Sequence, residues 1–156
     1  MAGEQYTDLA VLKLAEYVDA NLPAQLRAVE TAQGLTADSL IDPVEVIKHR
    51  VPFDNRSPLV EVYDDGWDFI DQNNRLMAVD CTVTVSFMGD ADIGAGEAFM
   101  RRYVTALINT LIADPTLGGS VVSAIPTDGS PAISRGDSAA TRYVYAQGVE
   151  VHVYEG

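Results

Sequence analysis

Cysteine, histidine and positive charge are scarce in this 156-residue chain, and each scarcity removes a class of function. The single cysteine, Cys81, excludes an internal disulfide framework and any cysteine-based zinc site. The two histidines, His49 and His152, cannot make a metal centre without further ligands that close the geometry. Lys and Arg number 10 against 23 Asp and Glu, a formal net charge of −13. A surface of that sign repels phosphate backbones, so a free DNA- or RNA-binding module is not expected. No apolar run approaches the ~20 residues of a membrane span. Met1-Ala2-Gly3-Glu4-Gln5 has neither the basic start nor the apolar core of a secretory leader. The expectation is a protein made in a cytoplasm and kept in solution, with no membrane association.

What is present is enough for one core. Hydrophobic residues make up 47% of the chain, and its length suits a single domain over 1–156. From Asp8 to Ala20 the apolar positions Val11, Leu14, Ala15 and Val18, continued by Leu22, follow the spacing of one buried helix face. Pro23 suits a helix start, so a break near Asn21 is expected, then a second helix to Gln33 with Leu26 and Val29 inward. Gly34 fits the left-handed residue past its end. Asp42-Pro43-Val44-Glu45 has the signature of a capped first turn, predicting a short helix from Pro43 to His49. Leu59 to Asp64 reads as a short strand. In Leu76 to Met88, Val79, Cys81, Val83, Val85 and Phe87 alternate with polar residues, the period of a half-buried strand. Asp65 to Asn74 is expected to join the two as a long hairpin loop.

The helix Glu97–Ala113 sets Met100, Tyr103, Val104, Leu107, Ile108 and Leu111 on one face and ends at Asp114-Pro115. A short strand, Ser120 to Ile125, follows. Pro126 to Thr141 is rich in Gly, Pro, Ser and Asp and predicts a flexible loop without regular structure. In the last strand, Arg142 to Glu155, Tyr143, Tyr145, Val149, Val151 and Val153 share a face. The fold class is therefore α+β: an antiparallel four-stranded sheet with N-terminal helices and a central helix packed on one face.

No constellation of catalytic or cofactor-binding residues emerges, so no catalytic residue, cofactor or metal is expected. Asp64, Asp65, Asp68 and Asp71 around Gly66, and Asp90-Ala91-Asp92-Ile93-Gly94, lack the spacing and distal Glu of a calcium loop. Gly94-Ala95-Gly96-Glu97 opens a helix but lacks the third glycine of a dinucleotide fingerprint and the lysine of a phosphate loop. Ser123, Ser130, Ser134 and Ser138 have no nucleophile-elbow setting. Arg135-Gly136-Asp137 is a three-residue match of the kind that chance supplies. Trp67, Phe69 and Ile70 differ, because they are large apolar residues in an acidic stretch. Either they fold back over the sheet or they stand out as anchors for a protein interface. Ile133, the one large apolar residue of the polar arm, and Arg135 join them as interface candidates.

Three segments together resemble the tail-terminator proteins of long-tailed bacteriophages, also called tail-completion or head–tail joining proteins. They are the helix Phe99-Met100-Arg101-Arg102-Tyr103-Val104-Thr105-Ala106-Leu107-Ile108, the turn Asp114-Pro115-Thr116-Leu117-Gly118-Gly119-Ser120-Val121, and the closing Tyr143–Tyr154 strand. The opening helices and the Leu59 and Leu76 strands match the same plan, so the likeness covers nearly the whole chain. The resemblance implies a structural virion protein and not an enzyme. It implies a hexameric ring at the head-proximal end of the tail tube, which ends tube growth and joins tail to head. The implied partners are further copies of the chain, the tail tube protein and the head connector, with genomic DNA passing through unread. Another neck component, an adaptor or stopper, is the alternative within the particle. A small acidic enzyme or ligand-binding α+β domain is the alternative outside it.

The charge balance makes one direct prediction. In a gel shift at low salt, double-stranded DNA should show no submicromolar binding; a tight complex lost steeply as salt rises would contradict it.

Overall fold

In the computed structural model, residues 6–50, 56–89, 93–135 and 141–154 are described. Two helices, α1 (Tyr6–Ala32) and α2 (Ile93–Ala113), lie on one face of a five-stranded sheet. The strands are β1 (Glu45–Ile47), β2 (Leu59–Asp71), β3 (Leu76–Gly89), β4 (Ser123–Arg135) and β5 (Thr141–Tyr154), in the order β1-β2-β3-β5-β4. β1 runs parallel to β2 and every other pairing is antiparallel, so the sheet is mixed and not the four-stranded antiparallel one expected.

The helical stripe on α1 is continuous. Leu14, Val18, Leu22 and Leu26 have no solvent exposure, and the helix passes through Pro23 without the expected break. Proline in a helix interior costs about 3 kcal/mol. Leu26 and Val29 extend the same buried face beyond it, and the burial of two such side chains at about 1.5–3 kcal/mol each offsets that cost. Gly34, at φ 65°, ends the helix as its sequence position suggests, and Leu35 N–H donates to the Glu30 carbonyl across the cap.

The segment after the helix is tied down by charge. Glu30 is buried and accepts from Leu40 N–H at 2.8 Å. Arg27 contacts Glu30 at 2.8 Å, Asp38 at 2.8 Å and Asp42 at 3.3 Å, and also donates to the Leu40 carbonyl. Burial opposes the Glu30 charge, but the backbone N–H groups of Leu40 and Asp38 and the Arg27 guanidinium outweigh it and hold the carboxyl below its usual range.

The expected helix from Pro43 to His49 is instead the edge strand β1, in register Glu45↔Leu59 to Ile47↔Glu61. Val44, Val46 and Ile47 are β-branched, Ile47 is buried, and Val44 N–H donates to the Pro58 carbonyl at 2.8 Å. The expected loop 65–74 is largely strand. β2 runs to Asp71, with irregularities at Asp64/Gly66 and Phe69/Asp71 that absorb the misfit. Only the tip is a turn, where Asp71 accepts from the N–H groups of Asn73 and Asn74.

β3 and β5 form the centre. Met77, Val79, Cys81, Val83, Val85 and Phe87 on one, and Tyr143, Tyr145, Val149, Val151 and Val153 on the other, all face the helices and are buried. On α2, Met100, Tyr103, Leu107 and Leu111 are buried, whereas Val104 and Ile108 are only half-buried. Ala106 and Thr110 take the inner line, and Thr110 satisfies its hydroxyl on the Ala106 carbonyl at 2.8 Å. A smaller aromatic cluster sits under the β4–β5 arm, where Phe87 stacks on Tyr143 at 4.8 Å. There α2 passes so close that a Cβ on Gly96 would lie 2.1 Å from the Tyr143 ring, which is why its opening turn is glycine.

The polar arm is not an irregular loop up to Arg135. β4 pairs with β5 from Ser123↔His152 to Arg135↔Thr141, while 136–140 lie outside the described residues. Pro126 and Pro131 are accommodated because β4 is an edge strand. The bulge between Pro126 and Gly129 is locked by Gln147, a buried polar residue that the sequence pattern does not single out. Gln147 accepts from the Tyr145 hydroxyl at 2.7 Å and donates to the Thr127 carbonyl at 3.1 Å and the Gly148 carbonyl at 2.9 Å.

The helix face can be tested by size. Leu107→Ala should cost about 3 kcal/mol by leaving a cavity under a side chain with no exposure, whereas Ile112→Ala, on the wet side, should change stability by less than about 0.5 kcal/mol. Urea denaturation of the two variants checks the difference; equal midpoints would mean that the face is wrongly assigned.

Candidate functional site

The interface candidates fall into two groups that the fold keeps apart. Trp67, Phe69 and Ile70 lie in β2 near one edge of the sheet, and Ile133 and Arg135 lie in β4 at the other, opposite Tyr143 and Thr141. Trp67 and Phe69 stand opposite Val79 and Met77, so they share the face that the helices cover. They do not fold back into its core. Trp67, Phe69 and Ile70 are 51%, 41% and 50% exposed. The two rings meet edge to face at 5.5 Å, which gives the pair a fixed shape.

The acidic residues around them are mostly structural in their contacts. Asp71 caps the hairpin turn, accepting from Asn74 through side chain and backbone and from Asn73 N–H, and these bonds lower its pKa. Asp65 accepts from Arg50 at 2.7 Å and from the Thr82 hydroxyl. Arg50 also stacks over the Tyr63 ring at 4.4 Å. Arg50 thus spans one wall of a surface cleft of about 570 Å³ lined by Asp8, Val11, Lys48, His49, Tyr63 and Asp64. A second cleft of about 490 Å³ lies between α2 and the β4–β5 arm, against Met100, Arg101, Pro131 and Tyr143.

The remaining sequence candidates are dispersed. His49 is exposed beside β1, its ring nitrogen 2.9 Å from the Arg50 carbonyl. His152 sits on the outer face of β5 against Glu150 at 2.6 Å. Among the described residues no group of three His, Cys, Asp or Glu could hold a metal ion. Burial, and behind it the charges of Asp64, Asp65 and Asp80, push the Cys81 thiol up to about 12, leaving it protonated and unreactive at neutral pH. Ser123 and Ser130 are strand residues of β4, and Asp90 to Asp92, Gly136 to Asp137 and Ser138 lie outside the described residues.

The Leu-Gly-Gly turn is a built element. Leu117, Gly118 and Gly119 have φ of 49°, 74° and 83°, a left-handed run that two glycines tolerate. Asp114 organises it, accepting from the Thr116 hydroxyl at 2.7 Å, Thr116 N–H at 2.9 Å and Gly118 N–H at 2.9 Å. The strain at Leu117 is repaid by burial of its side chain in the main core. What the surface offers chemically is therefore an apolar, partly aromatic edge set among carboxylates.

Among known proteins, no family model and no curated protein matches the chain. Among the described residues no helix is long and apolar enough to cross a membrane.

The Asp114 contacts carry a pH prediction. Hydrogen bonds from Thr116 and Gly118 lower its folded-state pKa below the unfolded value of about 4. Its contribution is therefore present above the unfolded pKa and is lost as pH falls through the lower folded value. Melting temperature should drop on acidification from pH 7 to pH 3, and Asp114→Ala should lower it at pH 7 while shrinking the drop. An unchanged drop in the variant would assign the acid sensitivity elsewhere.

Proposed function

We propose that this chain is a structural subunit of a bacteriophage tail, a tail-terminator protein that assembles into a hexameric ring on the head-proximal end of the tail tube, ends its growth and joins it to the head. The helix Phe99–Ile108, the Asp114–Val121 turn and the Tyr143–Tyr154 strand carry the resemblance behind this reading. The observation that supports it most is the state of Trp67, Phe69 and Ile70, roughly half exposed on a sheet edge and not folded into the core. Aromatic anchors in a polar rim are what a protein interface needs, and a reaction centre needs a cleft with converging polar groups instead. An assembled ring requires head-to-tail contacts that close, with a different patch on each side of every subunit. The charge of −13 suits a channel through which DNA slides, since a wall that held phosphates would stall it.

Purified protein should give rings in negative-stain images and, mixed with tail tubes, should cap one tube end, with light scattering showing a concentration-dependent rise in mass. A protein that stays monomeric and never decorates tube ends would defeat the reading. One that binds the neck of filled heads but not the tube would make it an adaptor or stopper.

A further inference from the structure

The strand register joins two exposed patches across the sheet. One row on the helix-covered face runs Trp67–Val79–Val151–Ala124, from β2 through β3 and β5 to β4. Val79 and Val151 are fully buried in its middle. Trp67 ends the row at one edge. Ala124 ends it at the other edge; beside it in the chain, Val122 and Ile125 are 42% and 51% exposed, and Ile125, paired with Glu150, turns to the outer face of that edge. Val122 is held in place by its N–H bond to the His152 carbonyl at 2.9 Å. On the Trp67 side, β1 pairs only with Leu59–Glu61, and among the described residues no strand lies beside Trp67 there.

Charge decides which surfaces can meet. The Trp67 edge carries exposed Asp64 and Asp68, so two such edges facing each other would set carboxylates against carboxylates. From Pro115 to Thr127 the chain has no charged residue at all, in a protein of net charge −13. The one carboxylate opposite it on β5 is Glu150, beside Ile125 and held on His152 at 2.6 Å, so the Val122–Ile125 edge is the surface that accepts the acidic Trp67 edge with the least like-charge repulsion. Two different patches on opposite sides of one sheet define a head-to-tail contact, the type that generates rings when the rotation closes.

We infer that the Trp67 edge of one copy packs on the Val122–Ile125 edge of the next copy. This rests on the ring reading above and assigns its subunit contact. Trp67 is the anchor and is the only tryptophan, so its fluorescence reports the contact directly.

The test uses Trp67→Glu and the double variant Val122→Glu/Ile125→Glu, all at exposed positions, with unchanged circular-dichroism melting as the check on folding. Wild-type protein should assemble, with a blue shift of Trp67 emission as concentration rises. Each variant alone should sediment as a monomer. Mixed one to one, the two should form a dimer that grows no further, because the only intact pair of edges is then used. Either variant assembling alone, or a mixture that stays monomeric under conditions where wild type assembles, overturns this contact and leaves the ring reading standing. Open filaments sensitive to the same variants uphold the contact and overturn the ring. Wild-type protein that is monomeric at every concentration overturns both.

Discussion

The pairing of β3 with β5 is the constraint on which the other elements depend. The two strands stay in unbroken antiparallel register from Leu76↔Tyr154 to Gly89↔Thr141, with every second residue of each facing the helices. Because side chains alternate, a slip of one residue would turn Val79, Val83, Val85, Val149, Val151 and Val153 out to water and bring Asp80, Thr82, Glu150 and His152 into the core. At about 1.5 kcal/mol or more for each of these buried valines, such a slip would cost about 9 kcal/mol or more, comparable with a domain's whole stability of about 5–15 kcal/mol. That register fixes where β2 and β4 dock on the two sides, where α1 and α2 lie across them, and which residues reach the edges.

Elements whose pattern is set by that burial were legible from residues alone. Strict alternation in Leu76–Met88 and Arg142–Tyr154 and the stripe in Asp8–Leu22 each name one buried face. The elements that differ from expectation do so where local chemistry and tertiary packing pull in different directions. Pro23 signals a helix start, yet Leu22, Leu26 and Val29 bury on the same side and keep α1 continuous. Asp42-Pro43-Val44-Glu45 imitates a helix cap, but the exposed edge of β2 takes up Glu45–Ile47 as a strand. The carboxylates and Gly66 conceal the end of β2, and Pro126, Gly129 and Pro131 conceal β4, because turn residues are tolerated at edges and bulges that a linear pattern does not show.

The polar residues that matter most to the fold were the least legible. Gln147 holds a buried place between Tyr145 and Val149 in an apolar series, and only the arm folded above it supplies its partners. A Cβ at Gly129 would lie 1.8 Å from the Tyr145 hydroxyl, so glycine, tyrosine and glutamine there form one fitted unit. Glu30 likewise looks like an ordinary outward helix residue. It is buried because Leu40 must be, and the chain returning over α1 brings Leu40 N–H and Arg27 to its carboxylate. As to function, the sequence named Trp67, Phe69 and Ile70 but could not say whether they were core or surface; nor could it show that the register carries the Trp67 row to Ala124, between the exposed Val122 and Ile125, on the far strand.

The charge distribution limits what can hold copies of this chain together. Arg27, Arg50, Arg56 and Arg101 each reach a carboxylate of their own chain, which draws on the 10 Lys and Arg that already face 23 Asp and Glu. Two molecules of net charge −13 repel as they approach, and salt weakens that repulsion beyond about 10 Å at 0.1 M. Attraction between them must then come from burying apolar surface where charge is sparse. Trp67, half exposed, has about half of the roughly 150–250 Å² of a large aromatic left to bury, and in the proposed contact the uncharged stretch from Pro115 to Thr127 receives it. The strong acidity that keeps the rest of the surface apart thereby acts as a filter: it penalises every arrangement of two copies except those that meet on an uncharged edge.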